Sequence, residues 1–256
     1  MSPCANLRAY SILLLVERVM PNVTAMSFTA VLCLLALNVP AHAAEAVADP
    51  WEGLNRKTFA FNEFLDSNFL KPVAQGYQAI TPEPVDTSVT NFFSNLREVP
   101  SFVNHLAQAR PKDAAADAGR FILNSTVGVL GLFDVASKLG IEQKNTDFGL
   151  TLGRWGVSAG PYLVLPFLGP STVRDTAGQT LDTFTYPVVY LEAPSEIPVR
   201  ALEIIDGRAD LLETEKLITG DRYVFLRNLY VQRRQFLLGG EVAEPNFDDE
   251  FDDEEF

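Results

Sequence analysis

One pattern in this chain has the form of a catalytic site: Gly156-Val157-Ser158-Ala159-Gly160. It fits G-x-S-x-G, the strand–turn–helix elbow that presents a serine nucleophile in α/β-hydrolases. That elbow needs a helix after the serine and a histidine later in the chain. Pro161 and Pro166 break a following helix, and both histidines, His42 and His105, precede Ser158. Metal chemistry fares no better. The cysteines are Cys4 and Cys33, and only one histidine lies beyond residue 43, so no zinc set is expected. No phosphate-binding loop, dinucleotide fingerprint or EF-hand order appears. Asp66, Asp134 and Asp182 stand singly on helical patterns, where carboxylates usually cap or face solvent. The expectation is a binding or transport protein, not an enzyme, with no metal and no cofactor.

The elements that would carry such a role begin after a leader. Arg18 precedes an apolar run over 28–37, and Val39-Pro40-Ala41-His42-Ala43 has the small-x-small form of a secretory cleavage site. Residues 1–43 therefore read as a signal peptide, with Met20 or Met26 as alternative starts. Val31 and Leu32 stand before Cys33 where a lipidation signal wants small residues, so the exported chain is expected to be unlipidated and free of cysteine. The net charge is −13 over 256 residues, and the tail 241–256 holds nine carboxylates and no basic residue. Self-repulsion should keep this tail disordered, either as a solubilising segment or as a docking strip for a basic partner. No basic cluster resembles a nucleic-acid footprint.

Between leader and tail, 44–240 reads as a single, mainly α domain. In 52–70, Leu54, Phe61, Leu65 and Phe69 recur at helical spacing, and Phe59 and Phe64 widen the apolar face. Asp49-Pro50 ahead of it suits an N-cap followed by proline. This helix belongs either to a core or to a membrane interface, where Trp51 would mark the headgroup level. Further helices are expected over 87–109, interrupted near Pro100; over 112–124, opened by Pro111; over 173–181; over 194–207; and over 221–238, with Arg233 and Arg234 near its C-terminal end. Only 162–167 and 186–191 alternate like strands. The stretch 146–175 interleaves Gly149, Gly153, Gly156, Gly160 and Gly169 with Pro161, Pro166, Pro170 and long apolar side chains. It is too broken for one helix or a membrane span, so its backbone is shaped around something, such as a lipid, a pore or a tight core.

Many of these segments recur in one order in a known family. They are Asp49-Pro50-Trp51-Glu52-Gly53-Leu54-Asn55-Arg56; Lys71-Pro72-Val73-Ala74; Asn91-Phe92 with Asn95-Leu96; Arg120-Phe121-Ile122-Leu123-Asn124-Ser125-Thr126-Val127-Gly128; and Gly131-Leu132-Phe133-Asp134-Val135-Ala136. Asp147-Phe148-Gly149, Thr151-Leu152-Gly153, Trp155-Gly156-Val157, Gly160-Pro161-Tyr162, Leu165-Pro166-Phe167, Gly169-Pro170-Ser171 and Arg174-Asp175 follow. Over about 49–238 the chain resembles the MlaA (VacJ) family of outer-membrane phospholipid-transport proteins.

The resemblance implies a ring-like helical protein in the inner leaflet of the outer membrane. It would remove misplaced phospholipid from the outer leaflet through an amphipathic channel and pass it to a periplasmic carrier. An inner-membrane ABC transporter completes that route, and trimeric porins associate with the family. The candidate lipid path and hairpin residues are Gly153, Arg154, Gly156, Ser158, Gly160, Pro161, Pro166, Gly169 and Arg174; Trp51, Phe59, Phe61, Phe64 and Trp155 are the interface candidates. Arg154 and Arg174 either meet a lipid phosphate or pair with Asp147 and Asp175. Two features depart from the family: the missing lipidated cysteine, and Ser158-Ala159 where the hairpin is often richer in glycine. A porin-associated structural role without transport and, further off, a lipid hydrolase are the alternatives.

Overall fold

The computed structural model describes residues 47–192 and 194–239; the expected leader and acidic tail lie outside them. The chain is mainly helical: α1 Glu52–Leu65, a π-helical turn Asp66–Leu70, α2 Lys71–Ile80, α3 Glu83–Ala107, α4 Pro111–Thr126, α5 Val135–Lys138, α6 Phe148–Arg154, β1 Tyr162–Leu165, β2 Gly169–Thr172, α7 Val173–Thr183, α8 Glu196–Thr214 and α9 Arg222–Leu237. Single turns of 3-10 helix at Pro187–Tyr190 and Glu215–Leu217 flank α8.

Several expectations are corrected in detail. Asp49 does not cap α1. Trp51 occupies that position without a side-chain bond, because the Asp49 carboxylate is taken by the Asn55 amide and the Tyr223 hydroxyl. Helix α3 runs unbroken through Pro100. Proline removes one helical N–H, but an ion pair between Glu98 and Arg120 and a buried hydrogen bond between His105 and Asp117 tie α3 to α4 on either side of it. The expected strand over 186–191 is instead the turn Pro187–Tyr190, since Pro187 has no N–H to offer a ladder. Among the described residues, strand β1 pairs only with β2, antiparallel, with Leu165 opposite Gly169.

Apolar burial is modest. Ala74, Ala209 and Leu212 form one cluster where α2 meets α8. Tyr162, Val164 and Tyr223 form another, with Phe59, Tyr230 and Val231 packed against it. The latter cluster seats the β-hairpin between α1 and α9.

Candidate functional site

The hairpin is held by side chains acting as a missing strand. Positions 55, 59 and 62 share one face of α1. The Asn55 amide donates to the Tyr162 carbonyl at 3.0 Å, and its oxygen accepts from the Val164 N–H at 2.9 Å. Two turns on, Asn62 donates to the Leu165 carbonyl and accepts from the Phe167 N–H, both at 2.9 Å. These bonds satisfy the edge of β1 that β2 does not reach. They also fix the tip, where Phe167 has φ +65°, an uncommon conformation for a bulky residue. Phe167 and Leu168 are 78% and 71% exposed there, and Phe61 meets the Phe167 ring edge-on at 5.6 Å.

Behind the hairpin, an ionic network joins α6, α7 and α9. Arg234 donates to both Asp147 oxygens and to Asp175. Arg174 pairs with Asp175 at 2.9 Å, both side chains almost fully buried, and the Tyr230 hydroxyl donates to the same carboxylate at 2.7 Å. Burial pushes the Asp175 carboxyl up, but Arg234 and Arg174 outweigh it and hold the group below its usual range. Asp147 also caps α6 through the Leu150 N–H. Glycine makes the approach possible: a Cβ on Gly178 would lie 2.2 Å from the Gly149 nitrogen, and one on Gly149 would lie 2.6 Å from Arg234 Nη2.

The predicted lipid-path residues therefore divide. Arg174 takes the ion-pair alternative with Asp175. Arg154 does not pair with Asp147, which Arg234 occupies; it donates to the Leu237 carbonyl at 3.0 Å. Gly153 leaves room for Arg174 and Leu238, and Gly160 (φ +68°) lies against Val173. Gly156 and Gly169 also have positive φ, which glycine alone accepts freely. The Pro161 carbonyl accepts from the Val173 N–H at 3.2 Å. Pro166 opens the exposed tip, and Ser158 lies exposed between α6 and β1, the reverse of the strand-then-helix order a nucleophile elbow requires. Trp51, Phe61, Phe64 and Trp155 are 44–58% exposed. Phe59 faces inward instead, edge-on to Tyr223 at 5.6 Å, because it shares the Asn55–Asn62 face. Residue spacing alone missed the two asparagines and Arg234; amides at i and i+7 on an apolar helix face were the available signal.

A further buried network stands where α3 meets α4. Arg120, 2% exposed, donates to Glu98 at 2.6 Å, to Asp134 at 3.0 Å and to Ser137 at 2.9 Å. Burial raises the Asp134 carboxyl, but bonds from the Ser137 hydroxyl and amide, then from Arg120 and Asn124, bring it down to about 2. Across the described residues polarity is inverted: sixteen buried side chains are polar or charged against eleven hydrophobic, and thirty-one large hydrophobic side chains are exposed. Such an outside marks an interaction surface, a membrane among them. No described helix is long and apolar enough to cross a membrane, and no described cluster of His, Cys, Asp or Glu is placed to hold a metal ion.

Comparison with known proteins agrees with the motif order. The chain is 37% identical over 205 residues to the intermembrane phospholipid transport system lipoprotein MlaA of Escherichia coli (strain K12), which covers 77% of this chain and 81% of the relative. The same figures hold for the protein of that name in Shigella flexneri. A solved structure, described as the structural basis for maintenance of bacterial outer membrane lipid asymmetry, is 36% identical with a TM-score of 0.67, covering 75% of this chain and 99% of its own. The model of the MlaA lipoprotein family matches residues 47–237, and the chain belongs to that family.

Proposed function

We propose that this protein is the outer-membrane component of an intermembrane phospholipid transport system. It removes mislocalised phospholipid from the outer leaflet along an amphipathic path and passes it to a soluble periplasmic carrier, which maintains lipid asymmetry. The leader 1–43 directs export, and the domain over 44–240 sits at the periplasmic face, in the inner leaflet, beside a trimeric porin. The observation that carries the reading is the inverted polarity. Apolar residues such as Phe61, Phe64, Phe69, Phe167 and Leu168 face outward, while more buried side chains are polar or charged than hydrophobic, Asn, Asp, Glu and Arg among them. A monolayer-seated protein needs an apolar outside without a spanning segment, and a headgroup needs polar partners along its way. No bond need change in the transported lipid, and Ser158 lacks the surroundings of a nucleophile.

The test is the phospholipid exposed on the cell surface after deletion of the gene, with and without the restored copy. A rise that the restored copy reverses supports transport. No change, with the protein still in outer-membrane fractions, would replace transport by a structural role beside porins.

A further inference from the structure

Between α6 and the C-terminal half of α9 the surface opens into a cleft of about 220 Å3, lined by Asn145, Asp147, Leu150, Arg233, Arg234 and Leu237 among others. Three of the four α9 arginines are committed to carboxylates. Arg222 reaches Glu63 and Glu215, Arg227 reaches Asp49, and Arg234 reaches Asp147 and Asp175. Arg233 lines the cleft and has no carboxylate within 4.0 Å among the described residues. The Nε of Arg234 is buried with no acceptor. The negative end of the α9 dipole would oppose an anion here. Arg154 counters it by donating to the Leu237 carbonyl, and it too has no carboxylate within 4.0 Å among the described residues.

The lining thus offers uncommitted guanidinium beside one half-exposed carboxylate. Arg234 bonds both Asp147 oxygens, yet the Asp147 side chain is still 38% exposed. Guanidinium matches a phosphate with paired N–H donors, and the Asp147 carboxylate suits an ammonium. Leu150 and Leu237 supply apolar wall for a glycerol backbone. The volume is below the roughly 300–1,000 Å3 of pockets that enclose a whole drug-sized ligand, so it suits a headgroup with its acyl chains left outside.

We infer that this cleft binds the phosphodiester headgroup of a phospholipid, with Arg233 as the principal phosphate contact. The inference rests on the transport reading and names its substrate contact. The probe is sn-glycero-3-phosphoethanolamine, titrated into the purified full-length protein in detergent and followed by arginine side-chain NMR and calorimetry; inorganic phosphate is titrated separately. Arg233→Gln should weaken the glycerophosphodiester by about tenfold, the scale of one charge-assisted hydrogen bond. Arg227→Gln, on the same helix but pinned to Asp49, should leave binding unchanged, and circular dichroism checks that both variants fold.

No binding of the probe, equal binding by the two variants, or inorganic phosphate binding as tightly as the diester would overturn the headgroup assignment. The two readings fail separately. Deletion without a change in surface phospholipid removes the transport role, whereas loss of probe binding in Arg233→Gln depends only on the cleft.

Discussion

Asn55 and Asn62 make the same pair of bonds to the hairpin from different depths, so truncating each should give different losses. Asn55 is 1% exposed. Asn55→Ala would leave the Tyr162 carbonyl and the Val164 N–H unpaired in a buried setting, at about 1–3 kcal/mol for each group. That sums to about 2–6 kcal/mol. The Asn62 bonds lie near the exposed hairpin tip, where water replaces the lost partner. Each is then worth about 0.5–1.5 kcal/mol, so Asn62→Ala should cost about 1–3 kcal/mol. At about 2–4 °C per kcal/mol for a domain of this size, Asn55→Ala should lower the melting temperature by about 10 °C and Asn62→Ala by about 5 °C. Thermal unfolding in detergent measures both. Amide exchange at Val164 supplies a local readout that should rise steeply in Asn55→Ala and little in Asn62→Ala. Equal losses in melting temperature, or an unchanged Val164 amide, would refute the missing-strand account.

Acid sensitivity should depend on two carboxylates of opposite sign. Asp134 has its pKa lowered to about 2, so it adds stability that is full above about pH 4 and is lost as pH falls through 2. Burial raises Asp182 to about 6, against opposing bonds from the Phe148 N–H and Asn104; its contribution is full below about pH 4 and is lost as pH rises through 6. Urea unfolding across pH 2–7 should therefore flatten at the acid end in Asp134→Asn and between pH 4 and 6 in Asp182→Asn. Gly178→Ala should destabilise by at least about 1–3 kcal/mol through overpacking, since the new Cβ would meet the Gly149 backbone. Gly53→Ala, with nothing within 4 Å of the new Cβ, should gain up to about 1 kcal/mol from helix propensity; chemical denaturation compares the two. Ser158→Ala should leave surface phospholipid levels as in wild type, and a change in ester cleavage between the two proteins would revive the hydrolase alternative.

Helices α1, α3, α4, α7, α8 and α9 and the strand at β1 were legible because their signals are local: apolar recurrence, Pro111 at a helix start, Gly239 (φ +87°) after a helix end; α2 and the short α5 and α6, set among glycines and prolines, were not expected. The polar inside was not. Arg120, Glu98 and Asp134 are far apart in sequence, and each reads singly as a surface charge or cap until α3, α4 and α5 bring them together. Asp49 shows the same limit: it stands where a cap should, yet its carboxylate is claimed by Tyr223 from 174 residues away. The exposed aromatics were ambiguous for a related reason. Helical spacing defines an apolar face but not whether that face meets protein or lipid, and α1 divides it, with Phe59 packed inward and Phe61 and Phe64 exposed. Two amides at helical spacing decide which side is which, because an amide on the protein-facing side needs backbone to bond. Asn55 and Asn62 turn that side toward β1, and the phenylalanines on the other side of α1 are left exposed, as the proposed membrane seat requires.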